Sequence, residues 1–413
     1  MYTSFSFPIP YKIITFIAFV AAMLCQACRA ATDADMEVVP VRYVPVRAAA
    51  NRGLERTISG VLLLKPVSVR DDRILMLDVP GFRATMPVHA VIQPGKAPLV
   101  VLLPGICGKA DTDFSRIWPA WFSAAGYHVL TFNSTFRPEF IDIAGHGVSG
   151  NVWNETEKVS GIISAFLKRP EIQGNVSELG IVGMSYGGVE ALILGQMQTE
   201  GRLSFKIDAI QAYSPPIKIE RTAEMLDTWF NEDRWNYTLI QLANSFTPKK
   251  VEHSAYSPGM MRAAVAASFH SEMPAVVIKN NDAFGLNLLP KGNDFDDKQV
   301  RQDWAETWGF QKYAYDLAIP WWEQHGNVNA NTLIGATHLC ELLKHQPSST
   351  AVIIAEDDPF DYADDMAELR DCAAKGQVSF LPDGGHLGYV ADEQTRERLV
   401  AIFIESSAAK EKR

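Results

Sequence analysis

A serine flanked by glycines, where an apolar run gives way to a helix-like run, constrains this chain more than any other feature. The segment is Gly183-Met184-Ser185-Tyr186-Gly187. Before it, Leu179-Gly180-Ile181-Val182 is apolar throughout, as in the end of a buried strand; after it, Gly188 to Leu194 starts a helix. A sharp turn between the two holds the serine in a strained backbone conformation at its tip. Side chains at positions 183 and 187 would collide where strand and helix pack closely. The hydroxyl then stands clear of the sheet, beside the positive end of a helix dipole. The pattern alone decides little, since it arises by chance in about one chain in seven of this length. An oxyanion loop must precede it, and an acid and then a histidine must follow, each after a strand.

All three are present. Pro98-Leu99-Val100-Val101-Leu102-Leu103 is a continuous apolar run that ends in Pro104-Gly105-Ile106-Cys107-Gly108, a loop able to aim a backbone N–H at a developing oxyanion. The amides of Ile106 and Tyr186 are the candidate pair. Ala351-Val352-Ile353-Ile354-Ala355 leads into Glu356-Asp357-Asp358-Pro359. There Asp358, just before the proline that turns the chain, is the candidate acid, with Asp357 as the alternative. Gln377-Val378-Ser379-Phe380-Leu381 leads into Gly384-Gly385-His386-Leu387-Gly388-Tyr389, which offers His386 as the base. The order Ser…Asp…His is diagnostic of one triad topology.

On these residues the chain resembles the α/β-hydrolase superfamily. Within it, the match is to esterase-like hydrolases with a Pro/His-Gly oxyanion loop, a D-D-P acid loop and a G-G-H-x-G-[FY] histidine loop. Here these read Leu103-Pro104-Gly105, Asp357-Asp358-Pro359 and Gly384-Gly385-His386-Leu387-Gly388-Tyr389. The resemblance runs from about residue 60 to the C-terminus and is weakest over 217–330. Pro104 stands where such chains usually carry histidine, a departure that bears on loop geometry and not on the triad. The resemblance implies a hydrolase with Ser185, Asp358 and His386 as triad, acting on a carboxylic ester or related acyl bond of a small molecule through an acyl-enzyme on Ser185. Alternatives are an acyltransferase or aminopeptidase using the same triad, and a catalytically silent binding protein on the same scaffold.

The chain has 413 residues, 47% hydrophobic and 21% charged, enough for one large domain with an insertion. A net charge of −10 without a basic stripe excludes nucleic acid as partner. No phosphate-binding glycine motif suggests a nucleotide cofactor. His338 and His345 lack the carboxylate or cysteine that would complete a metal set, so neither metal nor cofactor is expected. At the N-terminus, Lys12 followed by the apolar run Ile13 to Leu24 and then small residues has the form of a signal peptide over 1–30, implying an exported, periplasmic or secreted protein. A retained anchor, or a lipid on Cys25 or Cys28, would be the only membrane contact. Of the cysteines after residue 30, Cys340 and Cys372 could bridge, although buried free cysteine is the commoner state. Cys107 lies in the oxyanion loop, where thiol reagents would be expected to block the pocket.

The expected architecture is α/β: a mostly parallel sheet with helices on both faces and a mainly helical cap. Residues 31–59 form an irregular entry. Residues 60–216 form the first part of the core, opening on antiparallel strands at Gly60–Leu64, Arg73–Leu77 and Ala90–Ile92 before strands and helices alternate. Residues 217–330, rich in tryptophan, form the cap, and 331–413 complete the core. Each cap tryptophan is expected to pack in the cap's own core. The stretch Phe136–Asp142 with Gly145–Asn151 follows a strand on the same edge. There Arg137 or His146 facing substrate and a plain surface loop are both open readings.

Overall fold

The computed structural model describes residues 49–62, 68–145, 147–232, 257–288, 298–326, 328–374 and 376–392, with 395, 397 and 400. The expected leader, residues 31–48 of the entry segment, His146 and residues 233–256 and 289–297 of the expected cap lie outside them. Among the described residues no helix is long and apolar enough to cross a membrane.

Eight strands form one sheet in the order β1-β2-β4-β3-β5-β6-β7-β8. They are β1 (Arg73–Leu77), β2 (Met86–Val91), β3 (Ala97–Leu103), β4 (His128–Thr131), β5 (Val176–Met184), β6 (Ala209–Tyr213), β7 (Thr350–Ala355) and β8 (Val378–Leu381). β2 runs antiparallel to β1 and β4, and every other neighbouring pair is parallel. This is the α/β-hydrolase sheet, as expected. The continuous apolar runs of β3 and β5 are explained by burial on both faces. Leu99, Val101, Leu103 and Ile181 pack with helices α4 (Val152–Leu167) and α5 (Tyr186–Thr199) on one side. Val100, Leu102, Val182 and Met184 pack with α2 (Asp113–Ala124) on the other.

β3 and β5 are neighbours whose outgoing connections run in opposite directions, from β3 to β4 on one side and from β5 to β6 on the other. The carboxyl ends of β3 and β5 therefore flank the point where strand order reverses, the place where open α/β sheets bind ligands. Leu103 and Gly183 are paired in register there. Both glycine-bearing loops emerge side by side.

The described end of the entry segment, from residue 49, is not irregular, and residues 60–62 do not start a strand. Instead Ala49–Leu62 forms helix α1. Gly53, Leu54, Thr57, Ile58 and Gly60 are buried, a helical spacing that turns one face to the protein. A five-residue apolar run cannot by itself tell a strand from a buried helix end.

Between β6 and β7 the regular structure of the described residues is all helical. It comprises α6 (Ile219–Glu232), α7 (Pro258–His270), α8 (Met273–Phe284), α9 (Lys298–Ala305) and α10 (Phe310–Tyr313), which runs through a π-helical turn, Ala314–Ala318, into α11 (Ile319–Gly326). Short helices α12 (Ala330–Gly335) and α13 (Leu339–Leu343) lead back to β7. Trp308 and Trp322 are buried, and Trp322 Nε1 donates to Val148 O at 2.7 Å. The cap's apolar core is shared with Leu54 and Ile58 of α1 and with Cys107 and Phe136 of the sheet-edge loops. After β7, α14 (Ala363–Cys372) precedes β8. A Cys340–Cys372 disulfide joins α13 to α14, and Cys107 is free and buried.

Candidate active site

Ser185 is the single residue between β5 and α5, with φ 52° and ψ −119°. Positive φ is uncommon for a residue with a side chain, so the surroundings must impose it. Ser185 N–H is fixed to Tyr213 O at 2.8 Å, and its carbonyl accepts from Gly188 N–H at 2.8 Å. A Cβ on Gly183 would come closer than 3.0 Å to Gly187 O, and one on Gly187 equally close to Leu103 O. A Cβ on Gly105 would lie 3.3 Å from Ser185 Cβ. Three glycines thus let β3, the serine turn and α5 touch backbone to backbone. Tyr186 opens α5, so its amide has no partner within the helix.

The loop after β3 closes as a turn, with Gly108 N–H donating to Gly105 O at 2.9 Å. Ile106 and Cys107 are its central residues, Cys107 with φ 58°. Arg137 holds this loop from behind. Its side chain is turned into the protein, and Nη1 donates to Cys107 O at 2.9 Å and to Glu272 of the cap at 3.1 Å. Its Nε and Nη2 engage Glu139. The stretch from Phe136 is therefore no plain surface loop: Arg137 stands at the N-cap position of helix α3 (Pro138–Ala144), and its side chain supports the loop after β3. Burial, with Glu272 nearby, pushes the Cys107 thiol up to about 12. A thiol so rarely ionised reacts slowly at neutral pH. Cys107 nonetheless lines the cavity with Ser185 and His386.

His386 and Asp358 meet at the far wall. His386 Nδ1 lies 2.9 Å from Asp358 Oδ2, both side chains buried. Asp358 Oδ1 accepts the Phe360 N–H at 3.0 Å, and the Phe360 ring packs edge-on against the imidazole at 4.5 Å between centroids. Asp357 accepts the Gly385 N–H at 2.8 Å instead of touching the histidine. Burial and the neighbouring Asp358 raise the Asp361 carboxyl well above the usual carboxylate range. His386 Nε2 is buried without a partner among the described residues, and no hydrogen bond joins it to Ser185. The two residues line one cavity of about 450 Å³ with Gly105, Ile106 and Glu272. A volume of this order suits a small molecule. Across Ile106 lies a smaller cavity of about 120 Å³, walled by Phe136, Tyr186, Phe310, Tyr313 and Trp322.

The backbone N–H of His386 donates to Thr57 Oγ1 of α1 at 2.8 Å. Nothing in the sequence pointed to Thr57. Arg137 carried a faint signal, a charged residue just before a helix-starting proline after β4. Among the described residues no three His, Cys, Asp or Glu side chains could hold a metal ion. His338 pairs with Glu220 at 2.7 Å.

No family model matches the chain, and no curated protein does. Among solved structures it is similar to the esterase Pf2001 of Pyrococcus furiosus, with TM-score 0.46 and 12% identity over 83% of this chain and 97% of that one. It is similar to Est1E from Butyrivibrio proteoclasticus, with TM-score 0.42 and 11% identity over 81% and 99%. A third is the alpha/beta hydrolase GrgF from Penicillium sp. sh18, with TM-score 0.43 and 16% identity over 82% and 99%.

Proposed function

We propose that this chain is an exported serine hydrolase that cleaves a carboxylic ester of a small molecule through an acyl-enzyme on Ser185. The observation that carries the reading is the buried His386–Asp358 pair, whose free nitrogen has no partner, in the same cavity as a serine held at positive φ. Ser185 Oγ attacks the carbonyl carbon while His386 Nε2 takes its proton, in a contact that tightens when substrate fills the cavity. Asp358 keeps the proton on Nδ1 and stabilises the imidazolium. The amides of Ile106 and Tyr186 receive the developing oxyanion. His386 then returns the proton to the leaving alcohol, and water activated by His386 releases the acid. The small, largely apolar cavity that shares Ile106 and Tyr186 with the two turns favours a short apolar acyl group. The disulfide supports export, because such bonds persist in oxidising compartments.

The test is a series of nitrophenyl esters of graded chain length, with Ser185→Ala as control. Turnover is expected to be greatest with short chains and to fall on the order of 10⁴–10⁶-fold in the variant. A fluorophosphonate probe is expected to label Ser185. Unlabelled, folded protein without Ser185-dependent turnover would instead favour the binding-protein reading. Acceptor esters formed on adding alcohols would mark an acyltransferase, and preference for aminoacyl anilides a peptidase.

A further inference from the structure

We infer that Thr57 is a positioning residue for His386, and that α1 is the element that sets the histidine loop. This rests on the Ser185–His386 reading above. The loop carrying His386 is unusual: Gly384, Gly385 and Leu387 all have positive φ, at 147°, 58° and 62°. Such a backbone has no regular partner for its buried amides, so something outside must supply one. Thr57 supplies it. Its hydroxyl hydrogen is engaged within α1, donating to Gly53 O at 2.7 Å. That leaves the oxygen's lone pairs free to accept, and one takes the His386 N–H at 2.8 Å. The hydroxyl is thus oriented by its own helix before it meets the loop.

The glycines on both sides show that this docking is close along its length. A Cβ on Gly385 would fall closer than 3.0 Å to Gly53 O and to Thr57 Oγ1. One on Gly388 would strike Arg56 O, one on Gly60 would strike Gly388, and one on Gly53 would strike Asp357 O. Helix α1 therefore touches both the acid loop and the histidine loop by backbone contact. The other side of α1 packs on α7 of the cap, and Thr57 and Ile58 line the cavity itself. Sliding or loosening α1 would move the imidazole relative to Ser185 without touching any triad side chain.

Thr57→Val removes the acceptor and keeps the shape. It is expected to lower kcat by about 10- to 100-fold, the loss that follows a misplacement near 1 Å, with KM within two-fold of the parent. Thr57→Ser restores the acceptor and is expected to recover kcat to within a few-fold. A merely structural threonine would lower the melting temperature and leave kcat of the folded fraction alone. Thr57→Val with parental kcat overturns the inference, as does failure of Thr57→Ser to recover what Thr57→Val loses. Hydrogen exchange on the unaltered protein decides the matter even if the valine variant does not fold. The backbone of 53–60 and of 384–389 should be protected to the same degree, and rapid exchange in α1 beside a protected histidine loop overturns the inference. Ser185→Ala is run in parallel. If it keeps turnover, the hydrolase reading fails; if turnover depends on Ser185 but is indifferent to Thr57, only the role of α1 fails.

Discussion

The two halves of the candidate site are held by different physics. The nucleophile half is built from neighbours in the sheet: β3 and β5 are paired in register, and their loops emerge together. Its close approaches are all between core elements, with Gly183 against Gly187 and Gly187 against Leu103. The histidine half hangs beyond β8, a strand only partly buried along its length. Its close approaches are to α1, a helix more than 300 residues away in sequence. One half cannot move without opening the hydrophobic core. The other is rooted in the core only after the histidine, through Leu387, Tyr389 and Val390, while the amide of His386 itself is braced by α1.

Matched glycine substitutions would break this contrast most directly. Gly187→Ala drives a methyl into the Leu103 and Pro104 carbonyls, both backbone in the densest part of the core. It is expected to cost on the order of 3–5 kcal/mol and to lower the yield of folded protein. Gly385→Ala drives a methyl into Gly53 O and adds strain at φ 58°. Because only α1 must yield, it is expected to keep most of its melting temperature while losing about 10²-fold in kcat. Equal loss of stability in both, measured by thermal unfolding beside ester turnover, would erase the distinction.

The same difference explains what could be read from the sequence. Ser185, the β3 loop, Asp358 and His386 each follow an apolar run with glycine or proline at the turn, and that punctuation is local. Parallel strands buried on both faces announce themselves by composition. The support from α1 is not local. Its buried positions, among the described side chains, are small or mixed, and Gly60-Val61-Leu62 at its end imitates a strand. A hydrogen bond from residue 386 to residue 57 leaves no periodic trace. Pro359 favours Asp358 over Asp357, and the geometry agrees, since Asp357 serves the Gly385 amide and Asp358 the imidazole. The cap's helical character was legible, but which of its side chains reach the sheet was not.

Arg137 sharpens the comparison from the nucleophile side. It ties the Cys107 carbonyl to Glu272 at the start of α8, so the loop after β3 is held partly by the cap. Arg137→Ala leaves a buried carbonyl without its donor and is expected to lower kcat about ten-fold, less than losing an oxyanion donor outright. Arg137→Lys is expected to recover little, because a point charge cannot serve Glu139, Glu272 and the carbonyl from one planar fork. If Arg137→Ala raised KM alone, the residue would be shaping the cavity and not the loop.

The smallest effect concerns the proton stored beneath the serine turn. Glu190, one turn along α5 from Tyr186, is 1% exposed. Its carboxyl accepts from Thr135 Oγ1 at 2.7 Å, and that hydroxyl also lies 3.0 Å from Glu155. Glu155 in turn receives Tyr186 OH and Gly150 N–H, each at 2.6 Å. Burial, reinforced by Glu155 against the Thr135 hydrogen bond, pushes Glu190 up to about 8. In the unfolded chain a glutamate titrates near 4.3, or about that value. Between the two, the native state keeps a proton that the unfolded state has released, so stability falls as pH rises. The contribution is complete below about pH 4 and is lost on passing through about pH 8. Glu190→Gln fixes the neutral form and is expected to flatten this slope: at pH 9 it should melt roughly 2–4 °C above the parent, and at pH 5 within about a degree of it. Tyr186 is fixed to Glu155 and its amide faces the proposed oxyanion, so a rigid nucleophile half predicts that kcat of the variant stays near the parent's at pH 7. A melting temperature that followed the parent's course across pH 5–9 would show that the Glu190 carboxyl does not set the slope.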